Sequence, residues 1–161
     1  MNEKTLTLRY SSSNNTDKLR VTDAGLLKKA REAAEKAYAP YSAFRVGAAV
    51  RLSNGEIVIG SNQENAAYPS GLCAERVALF AASSMYPDSV IEAVAVTIDT
   101  DDRRVIEPVS PCGACRQVLA EYEHRQKKKI RVIFSGETGK TIVVDGMENL
   151  LPLTFTAANL K

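Results

Sequence analysis

Apolar residues recur at helical spacing in three stretches of the chain. In the first, leucines and alanines follow a cap at Thr22 or Asp23 every three or four positions, and Pro40 ends the helix. A second helix is predicted from about Cys73 to Tyr86, and a third in the stretch that begins at Cys112. The chain is therefore expected to contain three main helices.

Strand-like runs lie between and after these helices. The Asn54-Gly55 pair separates Val46–Leu52 from Glu56–Gly60, which is typical of a β-hairpin. Further strands are predicted at Val90–Asp99, Ile130–Phe134 and Thr141–Asp145, and a short helix at Met147–Leu151. Because helices and strands alternate, the pattern indicates an α/β fold with helices on both faces of one sheet.

The first 21 residues are more polar than the rest. We expect residues 1–21 to form an N-terminal extension and residues 22–161 to form a single domain. Within the extension, Leu6, Leu8 and Tyr10 alternate with polar residues as in a short strand. The extension has no apolar run of the roughly 7–15 residues that a secretion signal needs, which predicts a cytoplasmic location.

The composition narrows the class of protein further. The chain has 161 residues, of which 45% are hydrophobic and 25% charged, as in an ordinary globular domain. No run of about 18 apolar residues is present, so a transmembrane helix is excluded and no membrane partner is expected. The net charge of +2 offers no strong field for polyanions. The basic stretch from His124 to Arg131 is more typical of a solvated surface than of a nucleic-acid contact.

Three cysteines carry the first chemical signal. Cys73 begins one predicted helix, and Cys112 and Cys115 lie three residues apart at the start of another. A helix N-terminus favours the thiolate that binds metal. Three protein ligands would leave a fourth position of a zinc ion open to water, as a catalytic site requires. His124 lies too far along its helix to be a good fourth ligand.

Glu75 and Arg76, which follow Cys73 by two and three residues, are candidates for further roles at this metal site. Glu75 can approach a metal that lies beyond the helix end, where its carboxylate would act as general base and then as general acid. Arg76 can offset the net charge of −1 that one Zn²⁺ and three thiolates would carry. The plainer alternatives are a redox-active or structural CxxC pair and a glutamate that only interacts with the helix dipole.

Several longer motifs resemble the zinc-dependent cytidine deaminase family, in its small three-cysteine branch. The matching stretches, in the order of the family, are YSAFRVGAA from Tyr41, NQENAAYPSGLCAER from Asn62, SPCGACRQ from Ser110 and LLPLTF from Leu150. The resemblance implies a three-layer α-β-α sandwich with a mixed five-stranded sheet, and one zinc ion per subunit held by the three cysteines. It also implies hydrolysis of cytidine and deoxycytidine to the uridine nucleosides and ammonia, by attack of a zinc-bound hydroxide on C4.

The same resemblance assigns roles to single residues. Glu75 would move the proton of the attacking water to N3 and then to the departing amine. The Ser110 carbonyl would accept from the 4-amino group, the Ala74 N–H would contact the base, and Phe44 would pack on the pyrimidine face. Asn62 and Glu64 would bind the ribose 3′-hydroxyl, which an internal nucleotide lacks, so free nucleosides would be favoured. Ordering of the neighbouring loop is the alternative role for this pair.

Phe155 matches a C-terminal aromatic residue that the family places over the site of a neighbouring subunit, which implies a homotetramer. Core packing is the alternative for Phe155 and for Phe44. Tyr68 can either support the ribose loop or touch the substrate. Gln63 departs from the family pattern, because an aliphatic residue is common at its position, and the packing behind the ribose loop is therefore expected to differ.

Three other functions compete with cytidine deamination. The CAE and PCGxCRQ patterns are shared with deaminases of cytosine-containing antibiotic nucleosides such as blasticidin S. Nucleic-acid editing would use the basic stretch at His124–Arg131. A noncatalytic, zinc-stapled interaction protein would bind zinc without releasing ammonia from any nucleoside.

Overall fold

Strands and helices alternate along the chain in a computed structural model that describes residues 1–101 and 104–160. In chain order the main elements are β1 (Ser11–Ser13), α1 (Val21–Ala34), β2 (Phe44–Leu52), β3 (Ile57–Ser61), α2 (Ala74–Met85), β4 (Ile91–Thr100), α3 (Gly113–Gln126), β5 (Arg131–Ser135) and β6 (Thr141–Asp145). Short 3₁₀ turns lie at Thr16–Lys18, Tyr68–Ser70, Met147–Asn149 and Ala157–Leu160. Helices α2 and α3, the hairpin and the last three strands thus lie within a few residues of their predicted bounds. The predicted end of the first helix at Pro40 is wrong, because α1 ends at Ala34 and Glu35 is its C-cap.

The strands form one mixed sheet in the spatial order β1-β6-β5-β4-β2-β3. Neighbouring strands are antiparallel except for β4 and β5, which are parallel. A parallel pair needs a long crossover connection, and α3 provides it. The crossover places the start of α3 after the C-terminal end of β4.

Two apolar clusters make the sheet the middle of three layers. Leu26, Leu27 and Ala30 of α1 pack on one face. Helices α2 and α3 contribute Leu79 and Leu119 to the cluster on the other face. The expected three-layer α-β-α architecture is confirmed, but the expected number of five strands is wrong, because β1 adds a sixth at the edge of the described sheet.

The sixth strand does not lie where the alternation of side chains predicted it. Leu6, Leu8 and Tyr10 are exposed and belong to no strand. Pairing begins one residue later, where Ser11 of β1 faces Val143 of β6. The apolar alternation meets no packed layer, so backbone pairing with the sheet edge, rather than side-chain burial, determines where this strand forms.

The start of α1 also differs from the prediction. Arg20 is the N-cap and makes no side-chain cap, so neither Thr22 nor Asp23 caps the helix. The fully buried Asp23 carboxylate instead accepts from Nε of Arg131 at 2.8 Å, and Nη1 of Arg51 lies 3.7 Å from it. The carboxylate faces the arginines of β2 and β5, and the helix starts without it.

Close packing fixes α2 against the sheet. A Cβ atom added to Gly60 of β3 would lie 2.5 Å from the backbone nitrogen of Ala78 and 2.8 Å from the carbonyl oxygen of Ala74. Only a glycine allows this approach. The first turn of α2, which carries Cys73 and Glu75, is therefore held by direct contact with the β3 backbone.

Three side chains of the basic stretch His124–Arg131 have partners within the fold. Lys129 pairs with Glu148, and Arg131 pairs with Asp23 and Asp145. Arg125 lies over the ring of Tyr122. Within the described part of the chain, no helix combines the length and the apolar character needed to cross a membrane.

Candidate active site

A cavity of about 530 Å³ opens where α2 and α3 begin. One side, which we call the helix wall, carries Cys73, Glu75, Arg76, Ser110 and Cys112. A second part of the lining, which we call the loop wall, is formed by the segment from Tyr41 to Val46 together with Asn62, Glu64 and Tyr68. The volume of the cavity lies in the range of small-molecule binding sites.

Three cysteine sulfurs meet in the helix wall. Cys73 and Cys112 are the N-caps of α2 and α3, and Cys115 is in the first turn of α3. The Sγ atom of Cys112 lies 3.7 Å from that of Cys73 and 3.6 Å from that of Cys115. No histidine or carboxylate of the described residues joins this cluster. The two helix starts thus converge on one point with three soft ligands.

The sulfurs do not share their charge equally. A hydrogen bond from Cys115 lowers the pKa of Cys73 to about 5, and Arg76 contributes in the same direction. Nη2 of Arg76 lies 3.6 Å from Sγ of Cys73. The contacts of Cys73 therefore favour the thiolate form of its sulfur, and a guanidinium lies beside it.

Glu75 is a buried carboxyl group beside the sulfurs. It is 4% exposed, and its burial raises its pKa above the ordinary value, to which the charge of Cys73 adds. A hydrogen bond with Cys115 partly offsets this by lowering the pKa of Glu75. A carboxyl group with a raised pKa can both accept and donate a proton near neutral pH.

The carboxylate of Glu64 organises the loop wall. Its oxygens accept from the backbone N–H of Tyr41 at 2.9 Å, from the N–H of Ser42 at 3.3 Å and from Oγ of Ser42 at 2.5 Å. The hydrogen bond with Ser42, followed by that with Tyr41, lowers the pKa of Glu64. Glu64 therefore remains ionised and holds the segment that precedes β2.

Asn62 holds the next part of the same segment. Its Oδ1 accepts from the N–H of Val46 at 2.7 Å, and its Nδ2 donates to the carbonyl of Phe44 at 3.0 Å. Ala43, between these contacts and those of Glu64, has a φ of 53°, which a residue with a side chain rarely adopts. Two side chains thus keep Phe44 at the cavity in spite of a strained backbone.

The predicted site residues are brought together with few exceptions. The cavity lining contains Phe44, Asn62, Glu64, Cys73, Glu75, Arg76, Ser110 and Cys112. Ala74 and Cys115 are fully buried behind the lining. Phe155 is 59% exposed and does not line the cavity of its own chain; its carbonyl accepts from Nε2 of Gln117 at 2.9 Å.

Tyr68 and Gln63 are also placed by the structure. Tyr68 lines the cavity, and its ring meets that of Tyr41 edge to face at 6.2 Å. Nε2 of Gln63 donates to Oγ of Ser61 at 3.2 Å, while the backbone of Gln63 exchanges two hydrogen bonds with Leu72. The polar side chain at this position thus finds a polar partner in β3.

Sequence reasoning missed Ser42 and Arg116. Ser42 contacts Glu64, and the Arg116 guanidinium bonds to the loop that carries Ser110. Both residues lie inside motifs that the sequence analysis quoted, but motif membership alone does not show which groups a side chain contacts.

The sulfur cluster fits a zinc ion. With Zn–S bonds of about 2.3 Å, tetrahedral coordination places sulfurs about 3.8 Å apart. The separations of Sγ of Cys112 from the other two sulfurs, 3.7 and 3.6 Å, are close to that value. Cys73, Cys112 and Cys115 would therefore hold one zinc ion per chain and leave one coordination position without a protein ligand.

Comparisons with known proteins agree with this geometry. Residues 20–131 match the family model described as the cytidine and deoxycytidylate deaminase zinc-binding region. The chain is 42% identical over 136 residues to a cytidine deaminase of Halalkalibacterium halodurans, covering 84% of this chain and 96% of the relative. A cytidine deaminase of Sporosarcina psychrophila is also 42% identical, over 138 residues, with 84% and 93% covered.

A solved structure of a similar protein has the same fold. The crystal structure of a cytidine deaminase from Burkholderia pseudomallei superposes with a TM-score of 0.71 at 40% sequence identity, covering 81% of this chain and 97% of that one. Sequence and structure thus match over most of both chains. The chain belongs to the cytidine and deoxycytidylate deaminase family.

Proposed function

We propose that this protein is a zinc-dependent hydrolase that deaminates cytidine and 2′-deoxycytidine to the corresponding uridine nucleosides and ammonia. The observation that carries the proposal is the cluster of three sulfurs at a nucleoside-sized cavity, with the buried carboxyl group of Glu75 beside it. Relatives that match nearly their full length to this chain are cytidine deaminases.

The chain's own residues divide the chemistry between them. When bound, zinc supplies a Lewis acid that makes water a nucleophile at neutral pH. Glu75 accepts the first proton of the attacking water and delivers it to ring N3. It then transfers the second proton of that water from the C4 hydroxyl to the departing 4-amino nitrogen, which leaves as ammonia while the oxygen remains on C4. The raised pKa of Glu75 suits both tasks. Arg76 offsets the thiolate charge through its contact with Cys73.

Recognition of the base rests on groups from both walls. The Ser110 carbonyl accepts from the 4-amino group, the Ala74 N–H contacts the base, and Phe44 packs on the pyrimidine face. In support, Ser110 and Phe44 both line the cavity, and Ala74 is the first residue of α2.

Asn62 and Glu64 bind the ribose 3′-hydroxyl in addition to holding the loop wall. Asn62 uses one of its two N–H groups and one lone pair of its oxygen on the backbone. Glu64 accepts three hydrogen bonds where a carboxylate offers about four sites. Each residue thus retains capacity for one hydroxyl group. A phosphodiester at that position would face the Glu64 charge, so free nucleosides are preferred.

Assembly and cellular role form the last part of the proposal. A homotetramer would place Phe155 over the cavity of a neighbouring subunit. The exposure of Phe80, Met85, Leu153 and Phe155 in the single chain supports such a contact. Residues 22–161 act as one deaminase domain with residues 1–21 as an extension, and the protein serves pyrimidine salvage in the cytoplasm without a nucleic-acid or membrane partner.

Ammonia release from a panel of nucleosides, with zinc measured on the same sample, tests the proposal. Cytidine and deoxycytidine are expected to release one ammonia per nucleoside, and zinc is expected at one per chain. Blasticidin S and a cytosine-containing oligonucleotide complete the panel. Faster turnover of blasticidin S would assign the antibiotic deaminase instead, and bound zinc with no ammonia from any member would indicate a noncatalytic protein.

A further inference from the structure

Arg116 lies next to the cavity and makes three hydrogen bonds through its guanidinium group. It follows Cys115 in the first turn of α3 and is partly buried. Its Nε donates to the carbonyl of Pro111 at 2.8 Å, and its Nη2 donates to Oγ of Ser110 at 2.5 Å. Its Nη1 donates to the carbonyl of Leu150 at 2.9 Å. All three guanidinium nitrogens are therefore in use.

The partners of Arg116 are uncharged. Two are carbonyl oxygens and one is a hydroxyl oxygen, and no ion pair of Arg116 occurs among the described residues. A single positive charge would be satisfied by any acceptor, whereas three acceptors in three directions require the planar fork of an arginine. Geometry, rather than charge, is what this residue supplies.

The fork holds the loop that faces the substrate. Ser110 lines the cavity, and the peptide that joins it to Pro111 carries the Ser110 carbonyl. Arg116 binds the side chain of Ser110 on one side of this peptide and the carbonyl of Pro111 on the other. The orientation of the Ser110 carbonyl is thereby restrained from both sides.

The third bond connects this loop to the C-terminal segment. Leu150 ends the 3₁₀ turn from which the chain continues to Phe155. The next residue of α3, Gln117, donates to the carbonyl of Phe155 at 2.9 Å. Two consecutive residues of α3 therefore join the substrate loop and the C-terminal segment into one unit.

We propose that Arg116 is a positioning residue for recognition of the substrate's 4-amino group. Its guanidinium fork aims the Ser110 carbonyl at that group and couples its position to the C-terminal segment. This inference rests on the proposed function, because it concerns how the same cavity recognises a cytosine base.

The test is the variant Arg116→Lys, which keeps the charge and loses the fork. Its kcat/KM for cytidine is expected to fall at least about tenfold, because a misplaced acceptor leaves a buried polar group unpaired. Inhibition by 2-pyrimidinone riboside, a nucleoside without the 4-amino group, is expected to change less than about twofold. Arg125→Lys, in the exposed part of the same helix, is the matched control and should leave both values at the parent level.

The ratio of the two effects separates positioning from general structure. Equal losses for cytidine and for the inhibitor, or loss of bound zinc, would reduce Arg116 to a structural role and overturn the proposal. Unchanged kinetics for cytidine would overturn it as well. If Arg116→Lys does not fold, Ser110→Ala removes one acceptor of the fork and keeps the carbonyl. It should lower kcat/KM for cytidine about threefold or more with the same selectivity, and an unselective or absent effect overturns the proposal.

The outcome for the parent protein keeps the two proposals apart. A parent that releases no ammonia from cytidine refutes the proposed function whatever the variants do. A parent that is active, with a variant that is equally active, refutes only the role of Arg116.

Discussion

The helix wall and the loop wall of the cavity differ in what holds their residues in place. Cys73, Glu75 and Cys112 lie at helix starts, and the start of α2 is fixed by backbone contact with Gly60. The loop wall has less of this support. Its residues Tyr41–Ala43 precede β2 and are held by the side chain of Glu64. From Phe44 onward the segment pairs with β4, and the side chain of Asn62 adds two hydrogen bonds at Phe44 and Val46.

This difference separates proton transfer from binding of the ribose. Groups that must stay within hydrogen-bond reach of a reacting atom are placed by packed secondary structure, where small displacements are expensive. The side chains of Asn62 and Glu64, which we propose to bind the ribose, hold the start of β2 through hydrogen bonds that each contribute about 0.5–1.5 kcal/mol. Substitution of Glu75 in the helix wall should therefore remove most turnover, while substitution of Asn62 should weaken binding.

The largest effect is expected for Glu75→Gln in the helix wall. The amide keeps the shape of the side chain but cannot accept and return a proton, so kcat should fall by about 10²–10⁴. The three cysteines are unchanged, so zinc should remain at one per chain. Measurements are steady-state kinetics with cytidine and metal analysis.

Glu121→Gln on the exposed surface of α3 is the control for Glu75→Gln and should have the activity of the parent. Turnover of Glu75→Gln within a factor of about three of the parent would remove Glu75 from the mechanism.

The next effect in size is expected for Gly60→Ala, which tests the packing behind the helix wall. The added Cβ would lie 2.5 Å from the nitrogen of Ala78, so the first turns of α2 must move. Overpacking of this kind lowers the free energy of unfolding by about 1–3 kcal/mol, and thermal denaturation should show it.

Gly25→Ala in α1 is the contrasting variant. Its Cβ would meet no atom within 4 Å, so the better helix propensity of alanine should raise the free energy of unfolding by about 0.5–1 kcal/mol. If both glycine variants were equally stable, close packing would not be what holds the helix wall.

The residues that line both walls could be predicted from the sequence, but the contacts that hold them in place could not. Cys73 and Cys112 stand before apolar residues at helical spacing, so local pattern alone indicated that both would cap helices, as they do. The contacts of Ser42 and Arg116 depend on the tertiary position of residues 22 and 34 positions away, such as Glu64 and Leu150. No local pattern contains that information.

Asp23 and the N-terminal strand show the same limit. Asp23 is of a residue type that often caps helices, but its carboxylate pairs with arginines of β2 and β5 instead. Leu6, Leu8 and Tyr10 have the alternation of a strand, but no layer covers them. In both cases a local preference is overridden by what lies next to it in the fold.

A smaller effect is expected for Asn62→Ala in the loop wall. The change leaves the N–H of Val46 and the carbonyl of Phe44 without their side-chain partner, so the start of β2 at Phe44 is held less firmly. We expect KM for cytidine to rise about tenfold, which corresponds to one hydrogen bond of ordinary strength. Zinc content should not change.

Asn14→Ala, outside the cavity, is the control for Asn62→Ala. A fall in zinc content with an unchanged KM would contradict the division between the two walls.

The smallest effect is expected for Glu64→Gln, and it should depend on pH. The bond from Ser42 lowers the pKa of Glu64 below the ordinary value of 4.5, so the folded state favours the ionised form. A depressed pKa contributes stability that is present above the unfolded pKa and is lost as the pH falls through the folded pKa. The melting temperature of the parent should therefore exceed that of Glu64→Gln by a constant margin from pH 8 to about pH 5, and the margin should shrink below about pH 4.5.

Glu56→Gln, in the turn between β2 and β3, is the control for the loss of one carboxylate charge. A margin that stays constant down to pH 3 would mean that the shape of the side chain, rather than its charge, holds the loop wall.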